Sequence, residues 1–147
     1  MKKAFKPDAA LKHLDNLIGT WDIVGRTMDS KVDNVKGHIK IEWILDGNFL
    51  QQTGVIEMPD MKVNSIEIVG YDSLSGNFPS LVYGNMGSVA IPYYWQIESN
   101  IVTHWTKGSK YTGHFSEDKK TLKGGWKPDE EGESEGIAYD ATMTKIK

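Results

Sequence analysis

The hydrophobic period of the chain changes at Gly19. Before it, Pro7 and Asp8 suit a helix start, and Ala9, Ala10, Leu11, Leu14 and Leu17 fall on one apolar face at helical spacing. Gly19 ends the segment. The pattern predicts a short N-terminal helix over 7–17, too short to persist unless it packs on something. After Gly19 apolar and polar positions alternate, and strand-like runs separated by turn signals continue to the end. They predict strands at Ile18–Thr27, Lys36–Leu45, Asn48–Met58, Ser65–Tyr71, Phe78–Gly84, Val89–Glu98, Ile101–Thr106, Lys110–Ser116, Thr121–Lys127 and Ile137–Ile146. The punctuation is turn chemistry: Asp46-Gly47, Asp72–Asn77, Ser99-Asn100, Lys107–Ser109 and Glu117–Lys120.

Connections this short join antiparallel neighbours, because parallel strands need crossovers of a dozen or more residues. About ten consecutive strands left flat would expose two edges, and a sheet that wide tends to curl or split. The expected architecture is therefore all-β: an up-and-down antiparallel barrel of about ten strands, with one short N-terminal helix. It forms a single domain over 1–147, with the barrel proper at 18–147. A sandwich is the competitor, but it calls for a long connection and only Pro128–Gly136 could serve. The five tryptophans have no constant spacing, which argues against a propeller.

Alternation assigns faces. Ile39, Ile41, Trp43 and Leu45 share one side of their strand, as do Val89, Ile91, Tyr93, Trp95 and Ile97. Ile101, Thr103 and Trp105 oppose Val102, His104 and Thr106; Leu122, Gly124 and Trp126 line up, as do Ile137, Tyr139, Ala141 and Met143. Trp43, Tyr93, Trp95, Trp105, Trp126 and Tyr139 thus all fall on the expected inner face. Rings of this size either fill a barrel or line a cavity for a flat or apolar molecule, with indole N–H and phenol O–H as polar handles. In Asn48–Met58 either Gln51 or Gln52 could face inward, and a buried glutamine needs partners. Gln51 joins the six aromatics as a candidate ligand contact.

Composition narrows the function classes. The 147 residues contain no cysteine, so there is no disulfide framework, thiolate metal site or cysteine nucleophile, which fits a reducing compartment. The basic start is not followed by the apolar stretch of a signal peptide, and no run approaches membrane-helix length. The expectation is a cytoplasmic protein without membrane contact. A net charge of −3 argues against a nucleic-acid partner. The lysines at 107, 110, 119, 120, 123 and 127 cluster, but Lys123 falls on the face opposite the inner rings. The acidic run Asp129–Glu135 reads as a solvated loop.

Motif chemistry is sparse. His13, His38, His104 and His114 have no metal-ligand spacing, and His104 points outward by alternation. No nucleophile elbow or phosphate-cradling glycine loop occurs. Neither a metal nor a cofactor is expected.

Gly19-Thr20-Trp21 after a short helix resembles the opening of the calycin superfamily of lipocalin-like and fatty-acid-binding barrels. There the tryptophan closes one barrel end, often against a basic side chain of the last strand, and Lys145 is the counterpart this implies. The runs at 17–27, 41–52, 66–72, 111–130 and 138–146 are similar to a family of small bacterial proteins known as a domain of unknown function. Its hallmarks match Leu45–Leu50 and Gly70-Tyr71-Asp72. The resemblance implies a lipocalin-like barrel and carries no activity or site residues. Haem-binding nitrobindin-like barrels share the opening, but their glycine-rich segment and last-strand histidine have no match here.

The expected function is a barrel that binds a small apolar or aromatic molecule without catalysis. Two alternatives stand beside it. One is an enzyme acting on such a molecule through Tyr93, Glu67 or His104. The other is an interaction protein with a filled lumen, pairing as a homodimer through Tyr94 or Tyr83.

Overall fold

In the computed structural model, which describes residues 5–128 and 138–147, ten antiparallel strands close into a barrel. They are β1 (Gly19–Thr27), β2 (Val35–Ile44), β3 (Phe49–Met58), β4 (Met61–Val69), β5 (Phe78–Gly84), β6 (Ile91–Glu98), β7 (Ile101–Thr106), β8 (Ser109–Phe115), β9 (Thr121–Pro128) and β10 (Tyr139–Lys145). Each strand pairs with its neighbours in sequence, and β1 closes the ring on β10, from Trp21 opposite Lys145 to Thr27 opposite Tyr139. The expected strand at Ile137–Ile146 is seen from Tyr139. Ile137 and the acidic run Asp129–Glu135 lie outside the described residues.

Two boundaries differ in ways that matter for the interior. β4 begins at Met61 rather than Ser65, because Pro59-Asp60 makes a two-residue hairpin that pairs Met58 with Met61. β2 stops before Leu45, which enters a short 3₁₀ turn at positive φ and is 67% exposed, not inward with Trp43. Asp46 and Gly47 continue that turn at φ 61° and 83°, the left-handed region where glycine carries no steric cost.

The N-terminal segment is a 3₁₀ helix, Ala9–Leu17, and Asp8 caps it by accepting a 2.9 Å hydrogen bond from the Ala10 N–H. Leu11, Leu14 and Leu17 lie on its buried face and plug one end of the barrel together with Trp21. Replacing Asp8 with alanine removes a cap oxygen and is expected to cost about 1 kcal/mol in a urea unfolding titration. Trp21 is fully buried, and its indole N–H donates to the Leu17 carbonyl at 2.8 Å. Lys145 of β10 places Nζ 5.0 Å from the centre of the same ring. The tryptophan and last-strand lysine therefore close this end as the G-x-W resemblance implies. The core continues through Ile23, Ile39, Ile41, Leu50, Val69, Phe78, Val102, Phe115 and Leu122.

Gly113 answers a close approach. A methyl group at its Cα would sit 2.4 Å from the hydroxyl of Tyr111, so the bare glycine leaves room for that phenol inside the barrel.

Candidate functional site

Inside the barrel a cavity of about 400 Å³ extends from Leu17 at the plugged end to Met61 and Met86 at the other, where these side chains are 43% and 56% exposed. This volume lies in the range of small-molecule sites. The lumen is therefore not wholly filled by side chains. The wall near the plug is aliphatic: Ile23, Ile39, Ile41, Leu122 and Met143. Opposite it, β4, β6, β7, β8, β9 and β10 contribute a polar and aromatic wall.

Its centre is Glu67 on β4, only 3% exposed. One carboxylate oxygen, Oε2, accepts three hydrogen bonds: from Ser80 Oγ at 2.6 Å, Trp95 Nε1 at 2.8 Å and His104 Nε2 at 3.0 Å. The other oxygen, Oε1, receives none among the described residues. Burial alone would push the Glu67 carboxyl up. The charge of His104 and the hydrogen bonds from His104, Ser80 and Trp95 together outweigh it and hold the group below the ordinary carboxylate value. Glu67 is therefore ionised at neutral pH, inside a mostly apolar barrel.

His104 is 7% exposed and stacks on Trp95, with ring centres 3.7 Å apart at 17°. Trp126 meets it at 5.0 Å and 62°, and Tyr93 lies 5.1 Å away. Nε2 is directed at Glu67, and Nδ1, an acceptor when the ring is neutral and a donor when it is charged, has no partner among the described residues. Three phenols complete the wall. Burial raises the hydroxyl pKa of Tyr93, Tyr111 and Tyr139, that of Tyr139 to about 12, so all three stay protonated at neutral pH. The Tyr111 hydroxyl is fully enclosed and has no hydrogen-bond partner among the described residues.

The seven residues named from the sequence divide. Tyr93, Trp95, Trp126 and Tyr139 line the cavity. Trp105 does not: it lies on the outside, stacked on Tyr94 at 5.7 Å. The reason is register. His104 pairs with Trp95 on one side and Tyr111 on the other, both inward, so His104 is inward and Trp105 must face out. His104 is thus the reverse of its expected orientation. Gln51 is replaced by Gln52, because the Pro59-Asp60 hairpin sets Gln52 opposite inward Glu67. Trp43 is half-buried and packs on the core cluster, away from the cavity wall. Glu67, Ser80 and Tyr111 complete the site without having been named as ligand contacts. Among the described residues no group of three or more His, Asp or Glu is placed to hold a metal ion.

The family model described as a protein of unknown function, DUF1579, matches residues 6–127, most of the chain. The chain belongs to DUF1579. The match ends at Lys127, one residue short of the end of β9, so the DUF1579 span covers β1 to β8, nearly all of β9 and all of the Glu67 cluster. Among solved structures, the crystal structure of Rv2717c from M. tuberculosis is similar, with a TM-score of 0.65 over 97% of this chain and 100% of that one. At 9% identity this likeness to the DUF1579 chain shows the fold alone. No curated protein matches. Among the described residues of this DUF1579 protein, no helix is long and apolar enough to cross a membrane.

Proposed function

We propose that the protein binds a small, largely apolar or aromatic molecule inside its barrel, as a lipocalin-like carrier or sensor. One observation carries this reading: a cavity of about 400 Å³ whose wall holds a buried ionised carboxylate with one uncommitted oxygen. Buried polar groups are costly unless partnered, and a ligand that completes the partnering recovers that cost. Native mass spectrometry of protein purified from its own host tests the reading, with a co-purifying small molecule as the expected result. Val82 lines the cavity, and Val82→Trp puts an indole into it. This variant is expected to stay folded and to lose ligand binding by more than about tenfold, as calorimetry would read it. A variant that binds as well as the parent would place the ligand elsewhere.

Catalysis is a second reading, favoured by the pairing of His104 with Glu67. A carboxylate that fixes a histidine through one ring nitrogen prepares the other as a general base. Turnover of a bound molecule that His104→Gln abolishes, with binding retained, would establish it. The setting proposed is the cytoplasm, which the lack of cysteine suits. Self-association is proposed through the outer face of β4 and β5. There Ile66 and Tyr83 are paired across the strands and both exposed, and sedimentation velocity would detect a dimer.

A further inference from the structure

We propose that the cavity selects an organic amine: a protonated nitrogen on a flat or apolar body, seated on the uncommitted Glu67 oxygen. The assignment rests on the binding reading above and narrows it to one class of ligand.

Charge is the first consideration. The titratable side chains lining the cavity are Glu67, His104 and three phenols, and no lysine or arginine is among the described lining residues. A ligand carboxylate or phosphate would find no fixed cation here and would meet a buried carboxylate. A neutral ligand would leave the cavity with an unbalanced negative charge whenever His104 is neutral. A protonated amine balances it.

Hydrogen bonding is the second. The donors of Ser80, Trp95 and His104 all converge on Oε2, which leaves Oε1 as an acceptor without a donor among the described residues. An ammonium group is a donor only, so it suits a wall with a spare acceptor.

Aromatic surface is the third. Trp126 stands edge-on to Tyr93 at 89° and inclined to His104 at 62°, so ring faces and edges meet beside the carboxylate at different angles. Ring faces attract a cation through their quadrupole, most strongly where water is excluded. The aliphatic wall of Ile23, Ile39 and Ile41 accommodates the uncharged body of the same molecule.

Three probes that share an indole ring and differ in charge test this by calorimetry at neutral pH: tryptamine, tryptophol and indole-3-acetate. Tryptamine is expected to bind at least about tenfold more tightly than tryptophol, and indole-3-acetate more weakly than either. In Glu67→Gln, which keeps an acceptor for Trp95 and Ser80, the two leading probes are expected to bind within about twofold of each other. The proposal is overturned if tryptophol binds as well as tryptamine, if indole-3-acetate is preferred, or if the preference for tryptamine survives in Glu67→Gln. In each of those cases the binding reading itself still stands. If none of the three probes binds, the amine assignment falls, and the native mass spectrometry above decides the binding reading separately. Should Glu67→Gln not fold, the ranking in the parent protein decides alone.

Discussion

Replacing His104 with leucine is expected to lower the unfolding free energy by about 3–5 kcal/mol, because it leaves Glu67 buried without its charge partner. The size of the loss comes from what remains. Glu67 is 3% exposed, so water cannot take over from the imidazole. A second variant separates this from lost packing against Trp95. In Glu67→Gln/His104→Leu the residual charge is gone, while a side-chain acceptor still meets Trp95 Nε1 and Ser80 Oγ. The double variant should therefore be more stable than His104→Leu by at least about 1 kcal/mol. Urea titrations of the parent, the single and the double variant give the comparison. A loss below about 1 kcal/mol for His104→Leu would mean that the pair contributes little. The same pair predicts an acid response. The native Glu67 carboxyl titrates below its ordinary value of 4.5, so its contribution is fully present above that pH and is lost as the pH falls through the native value. The parent should lose stability there more steeply than Glu67→Gln.

Trp21→Ala is expected to cost about 3–5 kcal/mol as well, for a different reason: it opens a cavity under the helical plug. Trp21 is fully buried, faces Phe115 at 6.4 Å and ties the helix to the barrel through the Leu17 carbonyl. Truncation removes the ring, leaves that carbonyl without its donor and strips Lys145 of the aromatic surface beneath it. For a domain of this size the melting temperature should fall by roughly 10–20 °C. Trp21→Phe keeps much of the volume and loses the hydrogen bond, so it should fall between the parent and Trp21→Ala. Thermal melts followed by circular dichroism give this order. Equal losses in the two variants would assign the effect to the hydrogen bond rather than to the ring.

The barrel was legible because its signals are local. Period-two alternation, two-residue turns such as Ser99-Asn100 and the absence of a crossover segment all point to antiparallel closure. The wall was only partly legible, because facing in a short strand is decided by its partners. β7 carries a large residue on each face, Trp105 on one and Val102 with His104 on the other, so alternation alone leaves two choices. The turn at Ser99-Asn100 resolves them: it pairs Glu98 with Ile101 and hence Trp95 with His104. That signal was present in the sequence and outweighs the preference for placing the larger aromatic inside. The exchange of Gln51 for Gln52 has the same origin. The hairpin at Pro59-Asp60 carries the register, and starting β4 at Ser65 discards it. The Glu67 cluster was not legible as a unit, because its members come from four strands and their convergence on one oxygen depends on barrel radius.

Closure of β1 on β10 has a kinetic consequence. These are the first and last strands of the barrel, so the seam between them cannot zip until the two ends of the barrel segment have been brought together. Contacts so distant in sequence impose a large loop-closure entropy before they contribute anything, which places refolding among the slower, millisecond-to-second class of small domains. Until the seam forms, the sheet has two unprotected margins at which a neighbouring chain could add a strand.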